Sequence, residues 1–131
     1  MVLSQLHRLK EESLDTYKIY LGGKSIMLTL DKKTFASEVL EAEGYVFVDF
    51  TGDGWVSCKA LEPKVHELAE KYEANMKFTS LNTTGARRVA ISQKVLGLPV
   101  MAIYKGGEKV EELVKEECTA EAIEAMIQKY V

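Results

Sequence analysis

One segment of this chain can only lie in the interior: Tyr45-Val-Phe-Val-Asp-Phe50 is an almost unbroken β-branched and aromatic run. Such a run suits a central strand covered on both faces, which requires helices on either side of a sheet. The flanking sequence supplies them. Ser25 to Leu30 alternates, with Ile26, Leu28 and Leu30 on one side, and predicts a half-buried strand. Asp31 is a good helix N-cap, Phe35, Val39 and Leu40 make the apolar stripe of the helix it opens, and Gly44 stands where a left-handed terminal residue belongs.

After the central run, Thr51 to Ser57 reads as a loop by its glycines. Cys58 to Tyr72 predicts a helix with Ala60, Leu61, Val65, Leu68 and Ala69 inward and a bend at Pro63. Met76 to Leu81 is a third strand, Ala86 to Leu96 a helix ending at Gly97, and Val100 to Tyr104 a strand preceded by Leu98-Pro99. Lys105-Gly-Gly107 predicts a hairpin turn into Lys109 to Val114, and Thr119 caps a last helix carrying Ile123, Met126, Ile127 and Tyr130. Upstream, Leu3, Leu6, Leu9, Leu14 and Tyr17 recur at mostly helical spacing before Gly22-Gly23, which predicts an N-terminal helical extension over residues 1–24. Strands alternating with helices and closing in a hairpin and a helix imply an α/β domain with a mixed sheet over residues 25–131.

With 131 residues, 47% of them hydrophobic and 28% charged, the chain holds enough apolar material for one core and excludes disorder. A net charge of −3 gives no basic footprint for nucleic acid, and no apolar run approaches the roughly 18 residues of a membrane span. Met1 to Lys10 interleaves charge with leucine, unlike a secretory signal, and is read as mature sequence. Two widely spaced cysteines, Cys58 and Cys118, suit independent thiols in a reducing compartment, so a cytoplasmic location is expected. His7 and His66 stand alone on predicted helices, so no metal site is expected. Gly52-Asp-Gly54 lacks the Lys-Ser/Thr of a phosphate loop, and Arg87-Arg88 reads as a helix-surface pair.

Chemistry concentrates where the central strand meets the next helix. A cysteine at a helix start, Cys58, faces unpaired backbone N–H groups and the positive end of the helix dipole, which stabilise a thiolate; it equally suits a small buried apolar side chain. Asp49 is the oddity of the central run, because a carboxylate among apolar side chains is costly unless paired or protonated. It is either a tuned acid or base, or a group bonded to nearby backbone or to Lys59.

Val46-Phe-Val-Asp-Phe50, then Cys58-Lys-Ala-Leu-Glu-Pro63, then Leu98-Pro-Val-Met-Ala-Ile-Tyr-Lys-Gly-Gly107 resemble the thioredoxins over roughly Ser25 to Val131. The segment Gly52-Asp-Gly-Trp-Val-Ser-Cys58 is most similar to thioredoxins that supply electrons to glycine, sarcosine and betaine reductases in amino-acid-fermenting anaerobes. The resemblance implies a thioredoxin-like fold, a central mixed sheet of about five strands flanked by helices. It implies protein disulfides as substrates, reduction by a flavin-dependent thioredoxin reductase using a nicotinamide cofactor, and no cofactor bound to the chain itself. Oligomeric state stays open. Pro99 would follow a cis bond beside Cys58 and present the edge of strand 100–104 to a substrate peptide, with Trp55, Leu98, Pro99 and Val100 as the binding side. Cys58 would be the resolving cysteine, with Lys59 next to it, and Asp49 would exchange a proton with it.

The departure from that family lies at position 55, where the attacking cysteine of Cys-x-x-Cys would stand and this chain has Trp55. Exchange needs one thiolate to attack and a second thiol to resolve the mixed disulfide, and indole does neither. Cys118 is expected just before the last helix, away from the loop. Ser57 replaces the proline common between the two cysteines, and Ser80 stands where thioredoxins often carry a lysine near the buried aspartate. Three readings of Trp55 follow. Position 55 is natively cysteine or selenocysteine, with Trp engineered or read from a UGA codon; or the chain is a redox-silent adaptor that uses Trp55 as an aromatic anchor; or Cys58 alone is a monothiol sensor.

Overall fold

The computed structural model describes residues 27–131. The helical extension expected over 1–24, with His7, and the first residues of the 25–131 domain lie outside the described residues. Five strands form one sheet: β1 (Leu28–Leu30), β2 (Val46–Thr51), β3 (Lys77–Asn82), β4 (Val100–Lys105) and β5 (Glu108–Val114). Their order is β1-β3-β2-β4-β5. β3 pairs parallel with β1 and β2, whereas β4 pairs antiparallel with β2 and β5, so the sheet is mixed. The apolar run occupies the middle strand, and Val46, Phe47, Val48 and Phe50 are all buried.

Because side chains alternate along a strand, β2 feeds two cores. Val48 and Phe50 join Leu30, Phe35, Val39, Leu81 and Tyr104 on one face. Phe47 joins Phe78, Met101 and Ile103 on the other, under α1 (Val56–Tyr72) and α3 (Ala120–Gln128). Glu124 ties these two helices together, accepting from Lys71 Nζ at 2.7 Å and Tyr72 Oη at 2.6 Å.

Local chemistry explains most element boundaries. Asp31 accepts from the N–H groups of Lys33 and Thr34 at 2.8 and 2.9 Å, as a cap should, but the helix it opens is short and closes over Ala36–Leu40 with π-type bonding. The chain leaves it through Glu41, and Gly44 is not left-handed. α1 starts at Val56, two residues before Cys58, and Ala60 is exposed. Two residues of helix turn Ala60 about 200° from Cys58, off the stripe that runs through Val65, Leu68, Ala69 and Tyr72.

The helix expected from Ala86 to Leu96 is only α2, Arg87–Ser92. Lys94 adopts φ +61°, and Val95 N–H donates to the Ala90 carbonyl at 2.9 Å, a Schellman closure built without glycine. The hairpin follows its sequence signal, with both Gly106 and Gly107 at positive φ. Thr119 Oγ1 accepts from Ala122 N–H at 3.1 Å and caps α3.

Candidate active site

The C-terminal end of β2, the turn Gly52–Trp55 and the first turn of α1 bring the chemistry-bearing residues together. Asp49 follows Phe47 on the same face of β2, so it points under α1, with Ser80 of β3 and Met101 of β4 beside it in register. It is 3% exposed, and its Oδ1 is buried without a hydrogen-bond partner. Burial, and then the negative charge of Glu62, push this carboxyl up to about 7. Lys59 does not pair with it: the side chain is exposed and makes no ion pair among the described residues.

Cys58 is 4% exposed, and its N–H is already used by the Trp55 carbonyl at 3.1 Å. The stabilised thiolate expected from a helix start is not found. Burial raises the thiol above its ordinary range, Asp49 raises it further, and a backbone hydrogen bond with Gly52 only partly offsets both. As the third residue of α1, Cys58 lies inside the first turn and under its neighbours rather than on the open helix end.

Gly52 is the point where the site closes. A Cβ there would stand 2.7 Å from Leu98 Cδ1 and 3.1 Å from Trp55 Cδ1, so the indole and the leucine meet over bare backbone. Trp55 stays 46% exposed, and Val56 beside it is more exposed still. The Leu98–Pro99 bond is cis, and Val100 pairs with Phe50 of β2 and with Val114 of β5. β4 is therefore paired on both sides, which corrects the expectation of a free strand edge over 100–104. The open backbone lies one step earlier, at Leu98, which makes no backbone hydrogen bond among the described residues.

Several neighbours of the site carry no sequence signal for it. Cys118 precedes α3 as expected, but its Sγ donates toward the carbonyls of Pro99 at 3.6 Å and Leu113 at 3.4 Å, directly behind the Leu98–Pro99 turn. Burial pushes this thiol up to about 12. The loop is pinned from the other side: Asp53 N–H donates to Thr84 Oγ1 at 3.0 Å, and Asn82 Nδ2 to Asp53 Oδ1 at 2.8 Å. Asn82-Thr-Thr84 has turn chemistry that announces a bend, but not its contact with the loop. No group of His, Cys, Asp and Glu among the described residues could hold a metal ion, and no described helix is long and apolar enough to cross a membrane.

A buried carboxyl behind a buried thiol, a tight loop over bare glycine and an adjoining Leu-Pro turn form an arrangement suited to proton exchange with sulfur. The thioredoxin family model matches residues 26–129. A thioredoxin of Peptoclostridium acidaminophilum is 57% identical over 107 residues, covering 82% of this chain and 97% of that protein. A thioredoxin of Acetoanaerobium sticklandii is 53% identical over 105 residues, covering 80% of this chain and all of that protein. A thioredoxin of Clostridium sporogenes is 64% identical over 39 residues, which cover 30% of this chain. From β1 to α3, the chain belongs to the thioredoxin family, whose common chemistry is thiol–disulfide redox.

Proposed function

We propose that this chain is a cytoplasmic thioredoxin-type electron carrier for protein disulfides whose attacking residue, cysteine or selenocysteine at position 55, is replaced here by Trp55. The observation that carries the reading is Asp49. A carboxyl with Oδ1 buried and unbonded weakens the fold and supports no neighbour, so a role in moving protons is what accounts for it. With a thiolate at position 55, that sulfur attacks a substrate disulfide, forming a mixed disulfide and releasing one substrate thiolate. Cys58 then gives its proton to Asp49 and attacks the sulfur at 55; the internal disulfide forms and the second substrate thiolate leaves. A flavin-dependent thioredoxin reductase returns two electrons. Components of glycine, sarcosine or betaine reductases are the proposed recipients, on the resemblance of the Gly52–Cys58 segment.

A second reading draws on Trp55 itself. A half-exposed indole seated against Leu98 suits an aromatic anchor, and a redox-silent adaptor holding an extended peptide uses the same surface. The monothiol sensor has less support, because sensor thiols are exposed and acidic, whereas Cys58 is buried and raised. Insulin-disulfide reduction driven by dithiothreitol, run on the chain and on Trp55→Cys side by side, decides between them. The redox reading expects background turnover from the chain and clear turnover from Trp55→Cys. A folded but inactive Trp55→Cys would leave the adaptor reading in its place.

A further inference from the structure

Lys115 occupies a conformation that a lysine rarely takes. Its φ is +52°, in the left-handed region where a side chain crowds its own backbone. Its surroundings hold it there: Lys115 N–H donates to the Pro99 carbonyl at 2.8 Å, and its own carbonyl accepts from Cys118 N–H at 3.0 Å. Strain of this kind persists only where neighbours over-determine it, and it concentrates at sites with a use.

The consequence is where the side chain lies. A Cβ on Gly97 would overlap Lys115 Cε and stand 3.2 Å from its Nζ, so the lysine stem runs across the bare backbone of Gly97, the residue before Leu98. That ammonium has no carboxylate or other partner among the described residues. Lys71, Lys77, Lys109 and Lys129 each hold a carboxylate at 2.6–2.8 Å, whereas Lys115, like Lys59, makes no ion pair among the described residues. Glu117, two residues away, turns instead to Val114 N–H at 2.9 Å.

Next along the chain from Gly97 is the unbonded backbone of Leu98, whose side chain stands over Gly52 together with the 46% exposed Trp55, and Leu96 on the other side of Gly97 is 90% exposed. Unbonded backbone suits an extended chain, the apolar side chains suit apolar residues on it, and the lone ammonium suits a carboxylate. We propose that Lys115 is a specificity-determining residue that pairs with an acidic side chain on an extended segment of the partner protein lying along Leu98. The inference rests on the reading of this turn as a peptide-holding surface, which the redox and adaptor functions share.

The test uses two fluorescein-labelled decapeptides with the same alternating apolar residues, one carrying three aspartates where the other carries three asparagines. Fluorescence anisotropy measures both against the whole chain, Lys115→Arg and Lys115→Met. The aspartate peptide is expected to bind about 2- to 5-fold tighter to the chain and to Lys115→Arg, the size of a rim ion pair. That preference should fall to about 1 in Lys115→Met and shrink in about 0.5 M salt. A preference that survives in Lys115→Met, or none in the parent chain, overturns the role of Lys115 and leaves the peptide-holding surface standing. Binding of neither peptide overturns the surface itself, and the inference with it.

Discussion

Asp49 of β2 stands directly opposite Ser80 of β3 in the parallel register, so the nearest polar group on the adjoining strand is neutral. The charged group that reaches Asp49 is a carboxylate, Glu62, one turn beyond Cys58 on α1. Both features raise the carboxyl until either form is accessible near neutral pH, so it takes the Cys58 proton as the carboxylate and, once protonated, can return one to a departing thiolate.

Stability should therefore depend on pH in a defined direction. Burial raises the folded carboxyl from 3.8 to about 7, so the fold binds this proton more tightly than the unfolded chain does. The charged form is penalised, and the penalty grows between about pH 4 and pH 7 and is complete above that window. Asp49→Asn removes it. The variant should exceed the parent by on the order of 4 kcal/mol at pH 8 and by little at pH 4. Urea denaturation at the two pH values checks this, and a difference that does not change with pH would count against a buried protonated Asp49.

Supplying a cation at position 80 should reverse the electrostatics. In Ser80→Lys an ammonium on the neighbouring strand faces Asp49 on its own side of the sheet. An opposite charge at 4–6 Å lowers a carboxyl by about one to three units. Carbon-13 titration of the Asp49 carboxyl in both forms is the measurement. An unmoved titration would show that the lysine stem turns to solvent and that burial alone governs the group.

How much of this could be read from residues alone depends on the range of the interaction. Tyr45–Phe50 declares a covered strand by composition, Thr119 declares a cap, and Gly106-Gly107 declare a hairpin, because each signal acts within a few residues. Asp49, Cys58 and Pro99 were recognisable as a group through their order along the chain, and the fold gathers them at one end of the sheet. The Schellman closure at Lys94 was hidden because a lysine stands at the left-handed position glycine usually marks. Cys118 behind Pro99, Thr84 under Asp53 and Lys115 across Gly97 were hidden for a different reason: each contact joins segments far apart in sequence, and only the register of the sheet brings them together.

The two hairpin glycines should not be equivalent. At Gly106 an added Cβ meets open space, so alanine carries only the left-handed penalty, about 1 kcal/mol. At Gly107 the same Cβ would stand 2.9 Å from the Leu40 carbonyl oxygen, a backbone atom that cannot step aside freely. Gly107→Ala should cost about 2–3 kcal/mol. Denaturation midpoints of the two variants, measured together, test the ranking. Equal losses would mean that the end of the Ala36–Leu40 turn yields to the hairpin.

Trp55 and Cys58 both touch Gly52, the first through its indole and the second through a backbone hydrogen bond, so the ring roofs the region of the thiol. Trimming that roof in Trp55→Ala should raise the rate at which iodoacetamide alkylates Cys58 several-fold. Because burial and Asp49 raise this thiol, the rate should climb with pH well into the alkaline range in both forms, since the thiolate is the reacting species. Cys118, sealed behind Pro99, should stay unreacted in the folded protein and serve as the internal control. Mass spectrometry of the alkylated peptides over time separates the two thiols. If Cys58 is equally inert without the indole, then α1 and the sheet, not Trp55, exclude the reagent, and a mixed disulfide at position 55 would need the first turn of α1 to open before Cys58 could resolve it.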